Sequence, residues 1–247
     1  MTKTRALACA AAVALMLAAA PSLAAAPALT GDKIATSKGD LTIHPVNHAS
    51  FVMSYGGKTI YNDPVGGAAA FAGLPRPDLI LVTDIHGDHM DAPTLAALGN
   101  APIVAPPAVR DALPAPLKAR VQVLANGASG TFDGVPVQAV AAYNTTPDRL
   151  QFHAKGRGNG YVLTFGDKRV YIAGDTEETP EMDALKSIDV AFMPMNLPYT
   201  MTVEQAAHAV AAFKPKIVYP YHSRGSDVPA FAKLVGTGAD VRIRAWY

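Results

Sequence analysis

Cysteine is almost absent from this sequence. The single cysteine, Cys9, lies in an apolar stretch near the N-terminus. Beyond that stretch the chain can therefore form no disulfide, offers no thiol nucleophile and supplies no thiolate to a metal ion. Any metal that this part of the chain binds must be held by histidine and carboxylate side chains.

An excess of charge of either sign is also missing. Without Lys3 and Arg5, 19 basic residues face 20 acidic residues. A near-neutral chain lacks the basic surface that nucleic acids and anionic membranes attract. We therefore expect neither a nucleic acid nor an anionic membrane surface as a partner. The G-x-S-x-G motif of serine hydrolases is absent as well, which argues against a Ser–His–Asp mechanism.

Only one long hydrophobic run is present, from Ala6 to Ala20. Lys3 and Arg5 precede it and small residues follow at 22–26, which is the pattern of a secretory signal peptide. The run is short for a membrane span and no second one follows. We predict a signal peptide over residues 1–25, no membrane span after its cleavage, and export to the periplasm or the outside of the cell.

The remaining residues read as short strands alternating with helices, and we predict one hydrolase domain over residues 39–247. After a loose segment to about residue 38, the predicted strands cover 41–46, 50–55, 58–63, 79–82, 102–105, 121–124, 130–132, 135–142, 160–165, 168–173, 189–193, 217–221 and 241–246. The predicted helices cover 92–98, 107–113, 180–186, 203–213 and 228–235. Each half runs from paired strands into strand–helix units, so two mixed sheets packed together with helices outside satisfy this order.

The most informative stretch is DLILVTDIHGDHMD at residues 78–91. A buried strand is predicted to end there in four potential ligands within six residues, Asp84, His86, Asp88 and His89. The carboxyl ends of strands are where α/β sheets place their chemistry, and imidazole and carboxylate suit zinc and its neighbours. A helix-capping loop is the alternative interpretation, but it explains only Asp91, which precedes Ala92 and Pro93.

Three further candidate ligands lie elsewhere in the chain. Asp175 and His222 each follow the end of a predicted strand, and His153 lies in the loop 143–160. The same loop contains glycines together with Tyr143, Asn144, Arg149, Lys155 and Arg157. We predict that it either closes over a carboxylate or phosphate of the substrate or is merely a solvated basic loop.

These motifs resemble the metallo-β-lactamase superfamily, in particular the branch with ascorbate-6-phosphate lactonase and N-acyl phosphatidylethanolamine phospholipase D. The resemblance rests on the strings NHASFVMSYGGKTIYNDP, TDIHGDHMD, YIAGDTEETPEM, LPYTMTVEQAA and VYPYHSRG, which together span most of residues 43–225. It implies a four-layer αββα sandwich and two divalent metal ions, with zinc favoured and manganese or iron possible. It also implies that a hydroxide held by the metals attacks an ester, lactone, amide or phosphodiester.

The resemblance also implies roles for individual residues. One metal would be held by Asp84, His86 and His153, and the other by Asp88, His89 and His222, with Asp175 bridging the two. Asp88 and Asp175 would be the catalytic residues. Three residues would contact the substrate or support the ligands from behind, namely His48, Asp63 and Asn144.

Asp84 departs from the H-x-H-x-D-H pattern of this superfamily, which has histidine at that position. With aspartate there, a site with two divalent ions and a bridging hydroxide is neutral, whereas histidine leaves one positive charge. We therefore expect weaker capture of anionic substrates and better competition by manganese or iron. The alternative is that the Asp84 position leaves its site empty, so that the enzyme has one metal.

Two other classes of function remain open on the sequence. The first is a catalytically weak or inactive protein that binds a metal or ligand on the same fold. The second is an iron-containing redox protein, which is expected to carry an acidic residue after the second motif histidine. Gly87 follows His86 here, so this class is disfavoured.

Overall fold

The computed structural model describes residues 1–2 and 28–247. The predicted signal peptide, apart from its first two residues, lies outside the described residues. Residues 1–2 and 28–247 include no helix of the length and hydrophobicity needed to cross a membrane.

The first sheet contains seven strands in the order in which they occur in the chain. They are β1 (Asp32–Thr36), β2 (Gly39–Asn47), β3 (Ser50–Tyr55), β4 (Lys58–Asn62), β5 (Leu79–Leu81), β6 (Ile103–Ala105) and β7 (Val121–Val123). Strands β1 to β4 pair antiparallel, and β4 to β7 pair parallel.

The second sheet repeats this pattern with seven more strands, again neighbours in chain order. They are β8 (Ser129–Phe132), β9 (Val135–Ala142), β10 (Gly158–Phe165), β11 (Lys168–Ile172), β12 (Val190–Pro194), β13 (Ile217–Tyr221) and β14 (Asp240–Val241). Strands β8 to β11 pair antiparallel, and β11 to β14 pair parallel.

Within residues 28–247, six α-helices cover the outer faces of the sheets. They are α1 (Ala92–Ala97), α2 (Pro107–Ala112), α3 (Ala115–Lys118), α4 (Pro180–Asp183), α5 (Val203–Phe213) and α6 (Val228–Val235). Asp91 caps α1, and Thr202 with Gln205 forms a capping box at α5. Both side chains accept hydrogen bonds from backbone N–H groups that a helix start leaves unpaired.

Apolar side chains that alternate between the two faces of each sheet form three separate layers. In β5, Leu79 and Leu81 pack into the core between the two sheets, whereas Ile80 faces the layer under α1 to α3. A third layer joins the second sheet to α4, α5 and α6. Successive side chains of a strand point to opposite faces, so a fully apolar strand serves two layers at once. The predicted αββα sandwich is confirmed.

Two predictions at the ends of the domain are wrong. The loose segment before residue 38 contains β1, which pairs with β2 and buries Ile34. The last predicted strand, 241–246, is only β14, because the chain leaves the sheet after Val241. Trp246 then packs into the core between the sheets. The alternation of apolar and basic residues at 241–246 predicted a strand, but the burial of Trp246 outweighs it. The short helix α3 was not predicted.

The fold brings the ends of several strands to one edge. Asp63 directly follows β4, the segment with Asp84 follows β5, Asp175 follows β11, and His222 directly follows β13. These strands belong to the parallel part of each sheet, whose carboxyl ends lie on the same side. The two sheets therefore present their candidate ligands to each other across the sandwich.

Candidate metal centre

The structure gathers the seven candidate ligands into two groups that could each hold a metal ion. The Asp88 group consists of Asp88, His89, Asp175 and His222, and the Asp84 group consists of Asp84, His86 and His153. The resemblance implied the same two sets but shared Asp175 between them, whereas here Asp175 is grouped with Asp88, His89 and His222. Metal binding by these residues stays a prediction.

Asp175 lies between the two groups, and its two carboxylate oxygens point to different ones. Its Oδ1 is 3.2 Å from Nε2 of His89 and 3.2 Å from Nε2 of His222. Its Oδ2 is 3.2 Å from Nε2 of His153. The side chain is only 3% exposed, so its oxygens have no access to bulk water as an alternative partner.

The spacing of these atoms fits coordination. Ligand atoms about 2.1 Å from a tetrahedral zinc ion lie roughly 3.4 Å from one another. In the Asp88 group, Nε2 of His222 is 3.3 Å from Oδ2 of Asp88, and Nε2 of His89 is 3.8 Å from the same oxygen. Nε2 of His89, Nε2 of His153 and Oδ1 of Asp175 are buried without a well-formed hydrogen bond. Buried polar atoms without a partner are rare in folded proteins, and one divalent cation in each group would satisfy these three atoms.

The Asp84 group is assembled from both sheets. Asp84 and His86 follow β5 of the first sheet, and Oδ1 of Asp84 is 3.1 Å from Nδ1 of His86. His153 comes from the long loop before β10, and its side chain is 2% exposed. Nitrogen and oxygen donors without sulfur suit zinc and also manganese or iron, so the donor set fits the predicted metals without selecting one.

Asp63 supports the Asp88 group from behind. Its carboxylate accepts hydrogen bonds from the backbone N–H and the hydroxyl of Thr83 and lies 3.0 Å from Nδ1 of His89. This contact fixes the imidazole with Nε2 facing the group, as carboxylates do for many metal-bound histidines. Burial raises the pKa of Asp63, whereas His89 and Thr83 oppose that rise. The sequence predicted the role of Asp63 but missed Thr83.

Asn144 plays the same part for the Asp84 group. Its Oδ1 lies 3.1 Å from Nδ1 of His153, and its Nδ2 donates to the backbone carbonyls of Arg149 and Tyr199. The residue is 2% exposed, so the structure places it behind His153 rather than against the substrate. Of the two roles that the sequence left open for Asn144, only support of a ligand agrees with this position.

His48 reaches the site from the first sheet. Its Nε2 is 3.1 Å from Oδ2 of Asp88, and its ring lies 3.8 Å from the ring of His222. Burial lowers the pKa of His48 in spite of Asp88. Its other nitrogen, Nδ1, is 2.8 Å from the hydroxyl of Tyr247, a residue that sequence reasoning missed. Tyr247 comes close because the chain leaves the sheet after β14.

Three residues of this site adopt left-handed backbone conformations that only glycine adopts easily. His48, Asp63 and His222 have φ angles of 54°, 41° and 45°. Each such residue costs about 1 kcal/mol or more, and this kind of strain concentrates at functional sites. The fold tolerates it because neighbouring hydrogen bonds fix the backbone, including those from the His48 amide to Trp246 and from the His222 amide to His48.

The charges of the site favour ionised carboxylates. Burial opposes the ionisation of Asp175, but His222 and His89 outweigh it and hold the pKa of Asp175 well below its usual range. Burial likewise opposes ionisation of Asp88, yet hydrogen bonds from His222 and His48 lower the pKa of Asp88. Both carboxylates therefore carry a charge at neutral pH, as metal ligands must.

The basic loop 143–160 is largely engaged within the protein. Arg149 pairs with the fully buried Glu177, and Lys155 pairs with Glu181 at 2.7 Å. Among the basic residues of this loop, Arg157 is the one that reaches the Asp84 group. Glu177 was missed by sequence reasoning because an acidic residue after Gly174-Asp175-Thr176 carries no signal of burial.

A cavity of about 350 Å³ opens onto both groups. Its walls combine candidate ligands with aromatic and amide side chains, namely His86, Asp88, Phe152, His153, Asp175, Asn196 and Tyr199. The rings of Phe152 and Tyr199 meet edge to face at 5.0 Å. Tyr199 thus lines the cavity, whereas Met201 lies in the apolar layer under α5.

Comparison with known proteins assigns the chain to a family. Over residues 42–222 the sequence matches the family described as the Beta-lactamase superfamily domain. The chain belongs to the metallo-β-lactamase superfamily. A UPF0173 metal-dependent hydrolase from Pyrococcus abyssi is 34% identical over 211 residues, which cover 79% of this chain and 92% of that protein. A UPF0173 metal-dependent hydrolase from Thermococcus onnurineus is 34% identical over 212 residues, covering 80% and 93%.

Solved structures of similar proteins agree with the fold. One is a crystal structure described as a metal-dependent hydrolase from Parabacteroides distasonis, with a TM-score of 0.80 and 41% sequence identity. The match covers 87% of this chain and 98% of that chain. Igni18, a metallo hydrolase from Ignicoccus hospitalis, has a TM-score of 0.70 at 23% identity, covers 83% and 94%, and supports the fold alone. The predicted superfamily is confirmed, and the chain is a metal-dependent hydrolase of the metallo-β-lactamase superfamily.

Proposed function

We propose that the chain is a hydrolase with two divalent metal ions, zinc by preference, acting on an ester, lactone, amide or phosphodiester of a small molecule. The observation that carries the proposal is Asp175, whose two oxygens each face a different group of candidate ligands at 3.2 Å. One buried carboxylate placed in this way suits two ions better than one.

The residues present define how such a site would work. When bound, the two ions would polarise a carbonyl or phosphoryl oxygen and make a water molecule acidic near neutral pH. The Asp88 side chain is 45% exposed and lines the cavity, so its ionised carboxylate can orient that water. His48 contacts Oδ2 of Asp88 and holds it in place. The proton that the water gives up would go to the leaving group.

The cavity supports a small substrate. Its volume of about 350 Å³ lies at the lower end of the range of small-molecule sites. Phe152 and Tyr199 offer an apolar wall on one side, and Asn196 offers an amide for a polar group. These walls suit a small substrate with one apolar side and one polar group.

The first test is metal content per chain, measured by elemental mass spectrometry on protein without the signal segment. We expect about two ions in the wild type and fewer in Asp175→Ala, because the bridging oxygens are lost. Asp111→Asn, on an exposed face of α2, is the control and should keep both ions. A wild type that binds one ion or none after reconstitution overturns the two-metal proposal.

A screen of small esters, lactones, amides and phosphodiesters then tests the reaction. We expect turnover of at least one class by the zinc-loaded protein and loss of most of it in Asp88→Asn. If the protein binds two ions per chain but turns over none of these substrate classes, the result supports the alternative of a catalytically weak or inactive protein that binds a metal or ligand. A visible absorption band in the purified protein supports the iron-containing redox class.

We also propose that the protein is exported to the periplasm or beyond. The basic start, the apolar run 6–20 and the small residues at 22–26 support this. The test is the intact mass of the full-length gene product from each cell fraction. A chain that starts at Ala25 or Ala26 in the exported fraction is expected, and an uncleaved chain confined to the cytoplasm contradicts the proposal.

A further inference from the structure

Arg157 contacts the one position at which this chain departs from the histidine pattern of its superfamily. Its Nε is 3.3 Å from Oδ2 of Asp84. Its Nη2 donates to the backbone carbonyl of Phe152 and lies 3.4 Å from Nε2 of His86. Asp84 is 2% exposed and Arg157 is 20% exposed, so water screens this ion pair only weakly.

The two oxygens of Asp84 have separate partners. Oδ1 lies 3.1 Å from Nδ1 of His86 and accepts a hydrogen bond from the His86 backbone N–H. Oδ2 accepts a hydrogen bond from Nε of Arg157. A single oxygen is thus left for a metal ion, as a single imidazole nitrogen would be.

Gly158 makes room for this arrangement. A Cβ atom at position 158 would lie 3.1 Å from Oδ2 of Asp84 and 3.4 Å from the carbonyl oxygens of Ala142 and Thr83. A side chain there would push the carboxylate away from Arg157. The sequence Arg157-Gly158 therefore supplies both the cation and the space that Asp84 needs.

We propose that Asp84 and Arg157 act as one unit that replaces the histidine of the superfamily pattern. Arg157 is a positioning residue that directs Oδ1 towards the site and cancels the charge of Asp84. This inference rests on the proposed two-metal function. It revises the charge expected from the sequence, because the site with Arg157 keeps the positive charge that histidine would have left. Affinity for anions is then retained rather than weakened.

The first experiment measures the binding of inorganic phosphate to the zinc-loaded protein by calorimetry. Arg157→Gln removes the charge but keeps hydrogen-bonding atoms, and we expect phosphate to bind about tenfold more weakly. Arg157→Lys restores the charge and should bind phosphate within about threefold of the wild type. Arg110→Gln, an equal change of net charge on an exposed face of α2, should have no effect. Unchanged phosphate affinity in Arg157→Gln overturns the charge compensation.

The second experiment is a double-mutant cycle read out by titration of the second zinc ion. Asp84→His alone leaves Arg157 without its partner next to a cation, so the second ion should bind about tenfold more weakly. Adding Arg157→Gln to Asp84→His should recover most of that loss, although each substitution alone perturbs the site. Simple additivity of the two changes shows that the residues do not act as a unit.

The outcomes separate the two proposals. A wild type that binds only one zinc ion overturns the two-metal function and this inference together. A wild type with two ions, but with neither a phosphate effect nor recovery in the double variant, overturns the inference alone. The phosphate experiment needs no change at Asp84, so it stays decisive if Asp84→His fails to fold.

Discussion

Asp63 shows how a buried residue can orient a candidate metal ligand without being a ligand itself. Its carboxylate is fully buried, follows β4 and binds Thr83 on one side and His89 on the other. Its φ of 41° turns the chain so that the side chain points under the site. Loss of such a supporting carboxylate typically lowers metal affinity by 10- to 100-fold.

We therefore predict that Asp63→Asn weakens zinc binding in the Asp88 group by about 10- to 100-fold. The amide keeps the shape of the side chain but removes the charge that fixes the His89 ring. Competition with a chromogenic chelator measures the effect. Asp78→Asn, directly before β5 and so at the other end of that strand from the site, is the control. Equal affinities for wild type and Asp63→Asn contradict this role.

Gly174 carries a steric requirement directly before Asp175. Its φ is 68°, and a Cβ atom would lie 2.6 Å from the carbonyl oxygen of Asn159. Gly134 has a similar φ of 81°, but nothing lies within 4 Å of its Cβ position. The pair thus separates the conformational cost of a left-handed residue from the cost of a clash.

We predict that Gly134→Ala lowers the free energy of unfolding by about 1 kcal/mol, the cost of a left-handed alanine. Gly174→Ala should lower the free energy of unfolding by roughly 3 kcal/mol, because the backbone at Asn159 must also move to relieve the clash. It should reduce metal content too, since Asp175 is displaced. Urea unfolding measures both variants, and equal losses of stability would show that the clash relaxes without cost.

The loop between β9 and β10, residues 143–157, holds a precise position although its regular structure is limited to one 3-10 turn at Pro147–Arg149. Oε2 of Glu177 accepts hydrogen bonds from the backbone N–H groups of Thr145 and Thr146, and Oε1 accepts one from the hydroxyl of Thr146. The guanidinium of Arg149 forms an ion pair with the same carboxylate. The loop carries His153 and Asn144, so Glu177 indirectly fixes one side of the Asp84 group.

We predict that Glu177→Gln lowers the free energy of unfolding at pH 7 by about 1 to 3 kcal/mol, because a buried charged acceptor is lost. Burial opposes ionisation of Glu177, but the Thr146 and Thr145 donors and Arg149 lower its pKa below the ordinary 4.5. The stabilisation is therefore present above pH 4.5 and disappears as the pH falls through the lower pKa of the folded state.

Unfolding experiments across pH 3 to 7 test this dependence. The stability difference between the wild type and Glu177→Gln should be constant near neutral pH and should shrink in acid. Glu181→Gln is a matched control, because Glu181 binds the same loop through Lys155 at an exposed position. Its effect should stay below about 1 kcal/mol. A wild-type advantage that grows in acid contradicts the assignment.

At the scale of the whole molecule, the metal ions would join the two sheets. The Asp88 group draws Asp88 and His89 from the first sheet and Asp175 and His222 from the second. Ions that bind only the folded state stabilise it by mass action, by about 4 kcal/mol at a free concentration a thousandfold above the dissociation constant.

We predict that removing the metals with a chelator lowers the melting temperature by about 10 °C, because each kcal/mol corresponds to roughly 2–4 °C in a domain of this size. Differential scanning calorimetry before and after chelation measures the shift, and zinc should restore it. In Asp175→Ala the chelator should have a much smaller effect. An unchanged melting temperature in the wild type contradicts metal ions that bridge the sheets.

Local patterns were sufficient for most of the fold. The apolar runs of β5, β12 and β13, the glycine turns between strands and the capping box of α5 are signals within a few residues of one another. The order of these elements then admits few arrangements. The failures, β1 and the C-terminal segment, lie where a distant partner decides. Strand β1 forms because it pairs with the free edge of β2. The segment after Val241 leaves the second sheet because Trp246 packs into the core between the sheets.

The sequence by itself determined which residues could bind metal, because ligand chemistry depends on side-chain type and on position at strand ends. The tertiary structure alone decided how these residues are partnered. Arg157 is 73 residues from Asp84 and Tyr247 is 199 residues from His48, and no local pattern links such pairs. Charge and hydrogen bonding act over a few ångströms in space, so the partners of a ligand are known only once the chain has folded.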